Sequence, residues 1–285
     1  MQARVLPELL AQGADIVVEG DARLFPLLNR TFPSVTTTPL LLELENWLKA
    51  DPADYRASML SAWRWTSSGQ GADAESLAAY LTLDPESVAA FRERWNAPGR
   101  LLQVGLSWHS GAKAVGRAKS VVPEMLAPLI QREGIQFHSL QYDMDEAAVA
   151  ELSDRLGSLL VFDRGGDTRD DIDRLAARIA ALDLVISIDN TTIHIVGAVG
   201  TPCWVLLPCQ SDWRWGREGH TTHLYRDMWL DRNRTPGHWG AVVAEVVPDF
   251  DAWHRDQKAS HGRCQRPCRV GISKAIDVAH KFGRL

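Results

Sequence analysis

The feature that most constrains the fold is a regular alternation of apolar and amphipathic stretches after residue 100. Short apolar runs of strand length are separated by longer stretches in which apolar residues recur with helical spacing. Strands that are apolar along their whole length are buried on both faces, because amphipathic helices cover each side of a parallel sheet. The pattern therefore predicts an α/β fold built on a parallel sheet.

The predicted strands of this region are Leu101–Trp108, Ile135–Gln141, Ser158–Phe162, Leu184–Ile188 and Cys203–Leu207, with a last one at Thr222–Tyr225. The predicted helices are Pro123–Arg132, Glu146–Leu156, Thr168–Ala181, Thr191–Val199 and Trp239–Val247.

The first hundred residues show the same alternation but begin with a helix, over residues 1–12. A strand at Ala14–Glu19, a helix at Ala22–Arg30 capped by Asp21, and a strand at Ser34–Thr38 follow. Asp84 and Pro85 begin a helix that runs to Trp95, and Asn96–Gly99 is typical of a linker. We therefore predict a partial N-terminal α/β domain at 1–98 and a Rossmann-like domain at 99–254.

The charge of the chain is unevenly distributed. The net charge is −5, yet residues 255–285 carry eight Lys/Arg and two Asp/Glu, which predicts a flexible basic tail. The acidic remainder argues against nucleic-acid binding. No apolar run reaches the roughly 18–20 residues of a membrane helix. Without a signal-peptide pattern and with only four cysteines, the chain is predicted to be cytoplasmic.

Ligands of open α/β sheets bind beyond the carboxyl ends of the strands, so the loops that follow the strands are the places to inspect. The first such loop offers hydroxyls, small residues and cations suited to phosphate: Ser107, His109, Ser110, Gly111, Lys113 and Lys119. It has neither P-loop nor GxGxxG spacing. A mobile basic surface loop is an equally good interpretation.

The second loop leads from a strand into the helix that begins near Thr191. Asn190 or Thr191 caps that helix, and the free amides and dipole of a helix N-terminus attract phosphate. Thr192 adds a hydroxyl, and Asp189 is placed to hold the loop or a sugar hydroxyl. The alternative is a capped core helix without a ligand, in which His194 is a packed residue.

A third loop, at residues 208–215, contains Asp212 and Arg214 beside tryptophans and suits recognition of a sugar or a base. The alternative is a loop pinned over the core by its tryptophans.

A catalytic triad of Ser187, Asp189 and His194 is disfavoured, because there is no nucleophile elbow. No metal site is predicted, since the Cys264–Cys268 pair lacks a second ligand pair at zinc spacing. A hydrolase or a dehydrogenase is therefore disfavoured.

Four segments carry a family resemblance in this order: VGLSWHSGAKAVGRAKSV, GIQFHSLQYD, LAARIAALDLVISIDNTTIHIVGAVGTPCWVLLP and SDWRW. Residues 100–247 resemble the C-terminal half of heptosyltransferase-like (family nine-like) glycosyltransferases, especially the bacterial type often fused to tetratricopeptide repeats. The Asn190–Thr192 turn is similar to the diphosphate-binding turn of O-linked N-acetylglucosamine transferases. Residues 1–98 resemble part of the N-terminal half.

The resemblance implies a GT-B fold, in which two Rossmann-like domains face each other across a cleft. It implies that a nucleotide diphosphate sugar lies on the C-terminal domain and a glycan, lipid or protein acceptor on the N-terminal one. The residues implied to approach the diphosphate are Ser107, Ser110, Gly111, Lys113 or Lys119, Asn190, Thr191 and Thr192. Gln141, Asp212 and Arg214 would border the donor pocket. No metal or other cofactor is expected, because helix dipoles and cations can stabilise the departing diphosphate.

Relatives of this type usually have a strand and a Gly-rich loop before the helix that matches residues 1–12, and in heptosyltransferases that loop supplies a candidate base. Two hypotheses follow. One is a metal-independent, inverting glycosyltransferase whose start lies further upstream, with His109 as a candidate base and Lys113 as a catalytic cation. The other is a catalytically inactive nucleotide-sugar-binding or scaffold relative, truncated at its N-terminus.

Overall fold

The structure is a computed structural model that describes residues 2–40, 53–66, 77–95, 101–165 and 169–259. The predicted linker at Asn96–Gly99 and the tail beyond Ala259, with Cys264 and Cys268, lie outside the described residues. In the described ranges, no helix is both long and apolar enough to cross a bilayer.

The N-terminal part forms a small α/β layer. Its elements are α1 (Leu6–Ala11), β1 (Val17–Gly20), α2 (Phe25–Thr31), β2 (Thr36–Pro39), α3 (Met59–Ala62) and α4 (Pro85–Trp95). Strands β1 and β2 are parallel, with Val17 opposite Thr36. Leu6 of α1, Val18 of β1 and Leu28 of α2 are buried together, so one apolar face of each element closes a common core.

Both predicted helix caps of this part are confirmed. The carboxylate of Asp21 accepts a hydrogen bond from the amide of Arg23 at 3.0 Å, at the start of a 3₁₀ turn that leads into α2. The carboxylate of Asp84 accepts from the amide of Ser87 at 3.1 Å, which satisfies a free donor of the first turn of α4.

The second part is built on a six-stranded parallel sheet, as predicted. Its elements are β3 (Leu102–Ser107), α5 (Gly116–Lys119), α6 (Ala127–Ile130), β4 (Ile135–Ser139), α7 (Glu146–Leu156), β5 (Leu160–Val161), α8 (Ile172–Ala180), β6 (Leu184–Ile188), α9 (Thr191–Val199), β7 (Cys203–Leu207), β8 (Met228–Arg232) and α10 (Trp239–Ala259). The strand order is β5-β4-β3-β6-β7-β8, and every pair is parallel.

The unbroken apolar strands arise from burial on both faces of this sheet. In β7, Cys203, Val205 and Leu207 belong to one core, to which α4, α8 and α9 contribute. Trp204 and Leu206 point to the opposite core, which α6, α7 and α10 cover. Successive side chains of a strand alternate between faces, so a strand covered on both sides needs apolar residues at every position.

The strand order reverses direction between β3 and β6. From β3 the chain moves outward through β4 to β5, and it then returns to the other side of β3 to form β6, β7 and β8. At such a reversal the loops that follow the two central strands turn away from each other and leave a crevice between them. The loops after Ser107 and Ile188 therefore border one crevice, although they are distant in the sequence.

The N-terminal part is attached to this sheet through α2 and α4. Phe91 and Trp95 of α4 are buried in the same core as Leu175 of α8. The guanidinium of Arg30 in α2 makes two hydrogen bonds with Asp173 of α8, at 2.8 and 2.7 Å. These contacts hold the carboxyl end of β1 beside the crevice.

The last strand lies at Met228–Arg232, so the prediction of Thr222–Tyr225 was wrong. Leu224 and Tyr225 are buried in the core as loop residues rather than as members of the sheet. The observed strand contains Asp231 and Arg232, which interrupt its apolar pattern, so the sequence did not indicate a strand there even though Asp231 is buried.

The last helix continues to Ala259, so its predicted end at Val247 was also wrong. The prediction stopped there because a residue before proline disfavours the helical region, and Pro248 follows Val247. Beyond the proline, Phe250 and Trp253 are buried against Trp204 of β7, and this burial offsets the lost backbone hydrogen bond. The boundary predicted at residue 254 therefore lies within a helix.

This packing makes Phe250 a sensitive position. Replacing Phe250 by Ala removes a side chain with no exposed surface and is expected to lower the free energy of unfolding by about 3–5 kcal/mol. Urea unfolding followed by far-ultraviolet circular dichroism measures the change. Leu159→Ala, at a site that is 74% exposed, is the matched control and should change it by less than about 0.5 kcal/mol. Equal losses in the two variants would contradict the burial of the second half of α10.

Candidate functional site

A cavity of about 700 Å³ lies between the N-terminal part and the carboxyl ends of β3 and β6. Most of the residues that the sequence singled out line it, from three loops that are distant in the chain: Ser110, Lys119, Asp189, Asn190, Thr191, His194, Asp212 and Arg214. The cavity therefore lies at the strand ends to which the rule points, and the binding roles of these residues stay predictions.

Asn190 connects the two central strands at the floor of the cavity. Its Nδ2 donates to the hydroxyl of Ser107 at 2.8 Å, across the boundary between β6 and β3. Its Oδ1 accepts from the amide of Thr192 at 3.0 Å and thereby caps α9. One side chain thus ties the end of β3 to the N-terminus of α9, and the amides of that helix start face the crevice.

Gln141 supports the loop after β3 from below. Its Oε1 accepts from the amides of Trp108 and His109, at 3.2 and 2.9 Å, and its Nε2 donates to the carbonyl of His109 at 3.3 Å. Gln141, Ser107 and Thr192 are buried and are not part of the lining described for the cavity. Their observed contacts fix the loops that carry the lining residues.

Ser120 organises the rest of that loop. Its Oγ accepts from the amide of Ser110 at 3.0 Å, donates to the carbonyl of Gly116 at 2.7 Å and lies 3.2 Å from Nδ1 of His109. A Cβ on Gly116 would lie 2.1 Å from the carbonyl oxygen of Ser110, so only glycine allows this fold of the loop. The loop is therefore packed against itself rather than extended into solvent.

Three candidate residues of this loop, His109, Gly111 and Lys113, are exposed and are not among the lining residues. The amide of Gly111 donates to the hydroxyl of Tyr142, which does line the cavity. The assignment of Lys113 and His109 to catalysis stays a prediction, and Lys119 is the lysine of the loop that reaches the lining.

Asp189 is paired within the site. Its Oδ2 lies 2.5 Å from Nζ of Lys119, and its Oδ1 accepts from the indole nitrogen of Trp215 at 2.9 Å. Both side chains of the ion pair are largely buried. Of the two roles predicted for this carboxylate, the observed contacts match the first, since it holds two loops together and positions Lys119.

His194 lies one turn into α9, between two aromatic rings. Its ring stacks on that of Trp215, with centroids 5.3 Å apart and planes 11° from parallel. Its Nδ1 lies 3.2 Å from the hydroxyl of Tyr225, whose ring approaches α9 closely because position 197 is glycine. Burial lowers the pKa of His194 to about 4, so the imidazole is neutral at neutral pH.

Asp212 and Arg214 form a second internal pair at the rim. The carboxylate of Asp212 accepts from the amide of Arg214 at 3.1 Å and pairs with its guanidinium at 2.8 Å. Burial raises the pKa of Asp212, but the hydrogen bonds and charge of Arg214 outweigh this and leave that pKa below its usual value. The guanidinium lies over the ring of the exposed Trp213.

Sequence reasoning missed several functional contributors. Tyr142 follows the end of β4 at the same sheet edge, so the strand-end rule contained the signal that finds it. Ser120 gave no such signal, because its contact with Ser110 forms only after the loop has folded back. The buried Trp215 matches the alternative predicted for the third loop, in which tryptophans pin the loop over the core, but its bond to Asp189 joins segments that are distant in sequence.

The arrangement is suited to an anion. Lys119, Arg214 and Thr191 all line the cavity, and α9 begins at Thr191, so cations, a hydroxyl and a helix N-terminus border the same space. Such groups favour phosphate oxygens. Among the residues that the structure describes, no three His, Cys, Asp or Glu side chains come together as a metal cluster.

The buried His194 predicts a pH effect on stability. The unfolded chain takes up a proton on this histidine below about pH 6.5, whereas the folded chain does not until about pH 4. The free energy of unfolding should therefore fall by about 2 kcal/mol more between pH 7 and pH 5 in the wild type than in His194→Gln. Urea unfolding at the two pH values measures the difference. Parallel pH dependence in the two proteins would contradict the burial of a neutral imidazole.

No protein-family profile matches the chain. The protein FlbA of Caulobacter vibrioides is 33% identical over 237 residues, which are 76% of this chain and 39% of that protein. The chain thus spans about two fifths of the length of this curated relative.

Two solved structures are similar over nearly the whole chain. The family 9 glycosyl transferase from Veillonella parvula has a TM-score of 0.57 at 13% identity and covers 88% of this chain and 92% of its own. The Escherichia coli ADP-heptose lipopolysaccharide heptosyltransferase II has a TM-score of 0.53 at 13% identity, with 88% and 95% covered. The resemblance to heptosyltransferase-like glycosyltransferases is thereby confirmed at the level of the fold, which is of the GT-B type. The likeness to the type fused to tetratricopeptide repeats stays a prediction.

Proposed function

We propose that the chain binds a nucleotide diphosphate sugar and transfers its sugar to an acceptor. The single observation that supports this most is the cavity at the strand-order reversal, where Lys119, Arg214 and the N-terminus of α9 line one wall. A diphosphate carries two to three negative charges, and this wall presents the cations and amide donors that such a group requires.

Transfer of the sugar requires that the leaving diphosphate be stabilised. As the bond between the anomeric carbon and the diphosphate oxygen breaks, negative charge grows on that oxygen. In the proposal, Lys119 and Arg214 neutralise this charge, and Thr191 and the amides at the start of α9 donate hydrogen bonds to it. These groups would neutralise the charge that a divalent ion neutralises in metal-dependent transferases, so transfer is proposed to be metal-independent.

The acceptor is proposed to enter from the opposite wall, which the N-terminal part provides. An acceptor hydroxyl on that side attacks the anomeric carbon from the face opposite the diphosphate, and a single displacement of this kind inverts the configuration. The similarity to an ADP-heptose heptosyltransferase supports a nucleotide sugar donor in general. The acceptor class, whether glycan, lipid or protein, is left to experiment.

The donor site is tested with a double variant that leaves the net charge of the protein unchanged. Lys119→Met combined with Asp189→Asn removes the cation without leaving a buried carboxylate, and the asparagine still accepts from Trp215. Because a charge-assisted hydrogen bond is worth about 1.5–3 kcal/mol, the affinity for the matching nucleoside diphosphate should fall about 10- to 100-fold. Isothermal titration calorimetry with ADP, UDP and GDP measures it.

Arg117→Met is the matched control, since it removes a positive charge from an exposed position of the same loop that is not among the lining residues. Its affinity should stay close to that of the wild type. Equal weakening in both proteins would show a general charge effect and contradict the site. Absence of binding by all three nucleotides to the wild type would overturn the proposed function.

A further inference from the structure

The wall opposite the cations is formed by the end of β1 and the start of α2. Val18, Glu19, Gly20 and Asp21 line the cavity there, together with the apolar side chains of Leu24, Leu27 and Leu28. Strand β1 ends at Gly20, so the carboxyl ends of the small sheet and of the six-stranded sheet open into the same space. This side of the cavity carries Glu19 and Asp21, whereas the other side carries Lys119 and Arg214, each paired with a carboxylate.

Four carboxylates line the cavity, and three of them are already engaged. Asp189 is paired with Lys119 and Trp215, and Asp212 is paired with Arg214. Asp21 accepts from the amide of Arg23 and pairs with its guanidinium through both oxygens. A carboxylate whose lone pairs are occupied by cationic donors is a poor proton acceptor.

Glu19 is different. Its partner among the described residues is Arg56, whose Nη1 lies 3.8 Å from Oε1, which is beyond hydrogen-bond distance. Its side chain is 27% exposed, so it is partly withdrawn from solvent without being sealed in the core. Among the four lining carboxylates, Glu19 is therefore the one for which the structure describes no hydrogen bond from another side chain.

We propose that Glu19 is the general base of the transfer reaction, a step that rests on the proposed function. The acceptor O–H proton passes to the Glu19 carboxylate while the acceptor oxygen forms a bond to the anomeric carbon. The bond from that carbon to the diphosphate oxygen breaks, and the diphosphate leaves with the electron pair toward Lys119 and Arg214. The protonated Glu19 then releases its proton to water.

The position of Glu19 fits the stereochemistry that a displacement requires. A base must stand on the acceptor side, away from the leaving group, since the attacking oxygen and the departing oxygen occupy opposite faces of the anomeric carbon. Glu19 lines the cavity from the N-terminal part, whereas Lys119 and Arg214 line it from the six-stranded domain, and α2 and α4 anchor the two parts to each other. The candidate from the sequence, His109, lies in the loop after β3, and its Nδ1 is 3.2 Å from Oγ of Ser120.

The proposal is tested with water as the acceptor, which removes the need to know the natural one. UDP-, GDP- and ADP-sugars are incubated with the wild type and with Glu19→Gln, and the released nucleoside diphosphate is quantified. Loss of a general base is expected to lower the rate about 10²- to 10⁴-fold. The affinity for the nucleoside diphosphate, measured by calorimetry, should stay the same, because the ion pair described for Glu19 is with Arg56 and not with Lys119 or Arg214.

Sodium azide separates a base from a merely structural residue. Azide is already an anion, so its attack on the anomeric carbon needs no proton acceptor. Glu19→Gln should therefore form glycosyl azide, detected by mass spectrometry, at a rate close to that of the wild type with azide. A variant whose cavity had been distorted would lose both reactions, and that result would overturn the assignment.

Asp15→Asn is the matched control. It removes an exposed carboxylate four residues away that is not among the lining residues, so donor hydrolysis should persist. Hydrolysis by Glu19→Gln at the wild-type rate would overturn the role of Glu19 while leaving the proposed function standing. Nucleotide binding without hydrolysis of any donor by the wild type would also overturn it and would favour a binding protein without turnover.

Discussion

The side chain of Asn190 holds the two central strands together where the order of the sheet reverses, and the cavity depends on this contact. Its amide joins Ser107 at the end of β3, and its oxygen caps α9. A parallel sheet brings strand ends to one edge, but it does not by itself fix the loops that leave them. Asn190 and Gln141 do so with buried hydrogen bonds, and in a low-dielectric interior such bonds are costly to leave unmade.

The wall that suits an anion is nearly neutral as it stands. Lys119 is matched by Asp189, and Arg214 by Asp212. Each carboxylate lowers the cost of burying its cation and fixes the place of the charged group. Under the proposed function, a diphosphate would compete with these two internal partners, so its affinity would depend on the free-energy difference between the two arrangements. Such a balance would favour release of the product after transfer.

Five of the six strands described in the large sheet and the position of the cavity could be predicted from the sequence, because they follow from local rules. Residue-by-residue apolarity predicts a doubly covered strand, and the strand-end rule points to Ser110, Asn190 and Arg214. What could not be predicted depends on distant contacts. The extension of α10 past Pro248 requires the surface of Trp204, and the pairing of Asp189 with Lys119 joins residues seventy positions apart. Glu19 could be singled out only once the structure showed that the other three lining carboxylates are paired with cationic side chains.

Helix α4 precedes the predicted linker in sequence, yet Phe91 and Trp95 are buried in the core of the six-stranded domain. Leu27 of α2 belongs to the same core, and the backbone amides of Tyr80 and Leu81 donate to the carbonyl of Ala198 in α9. The N-terminal part is therefore joined to the large sheet at several points along its length. A segment that shares a core with a domain moves with it, so these contacts keep the end of β1 at a fixed place beside the carboxyl ends of β3 and β6.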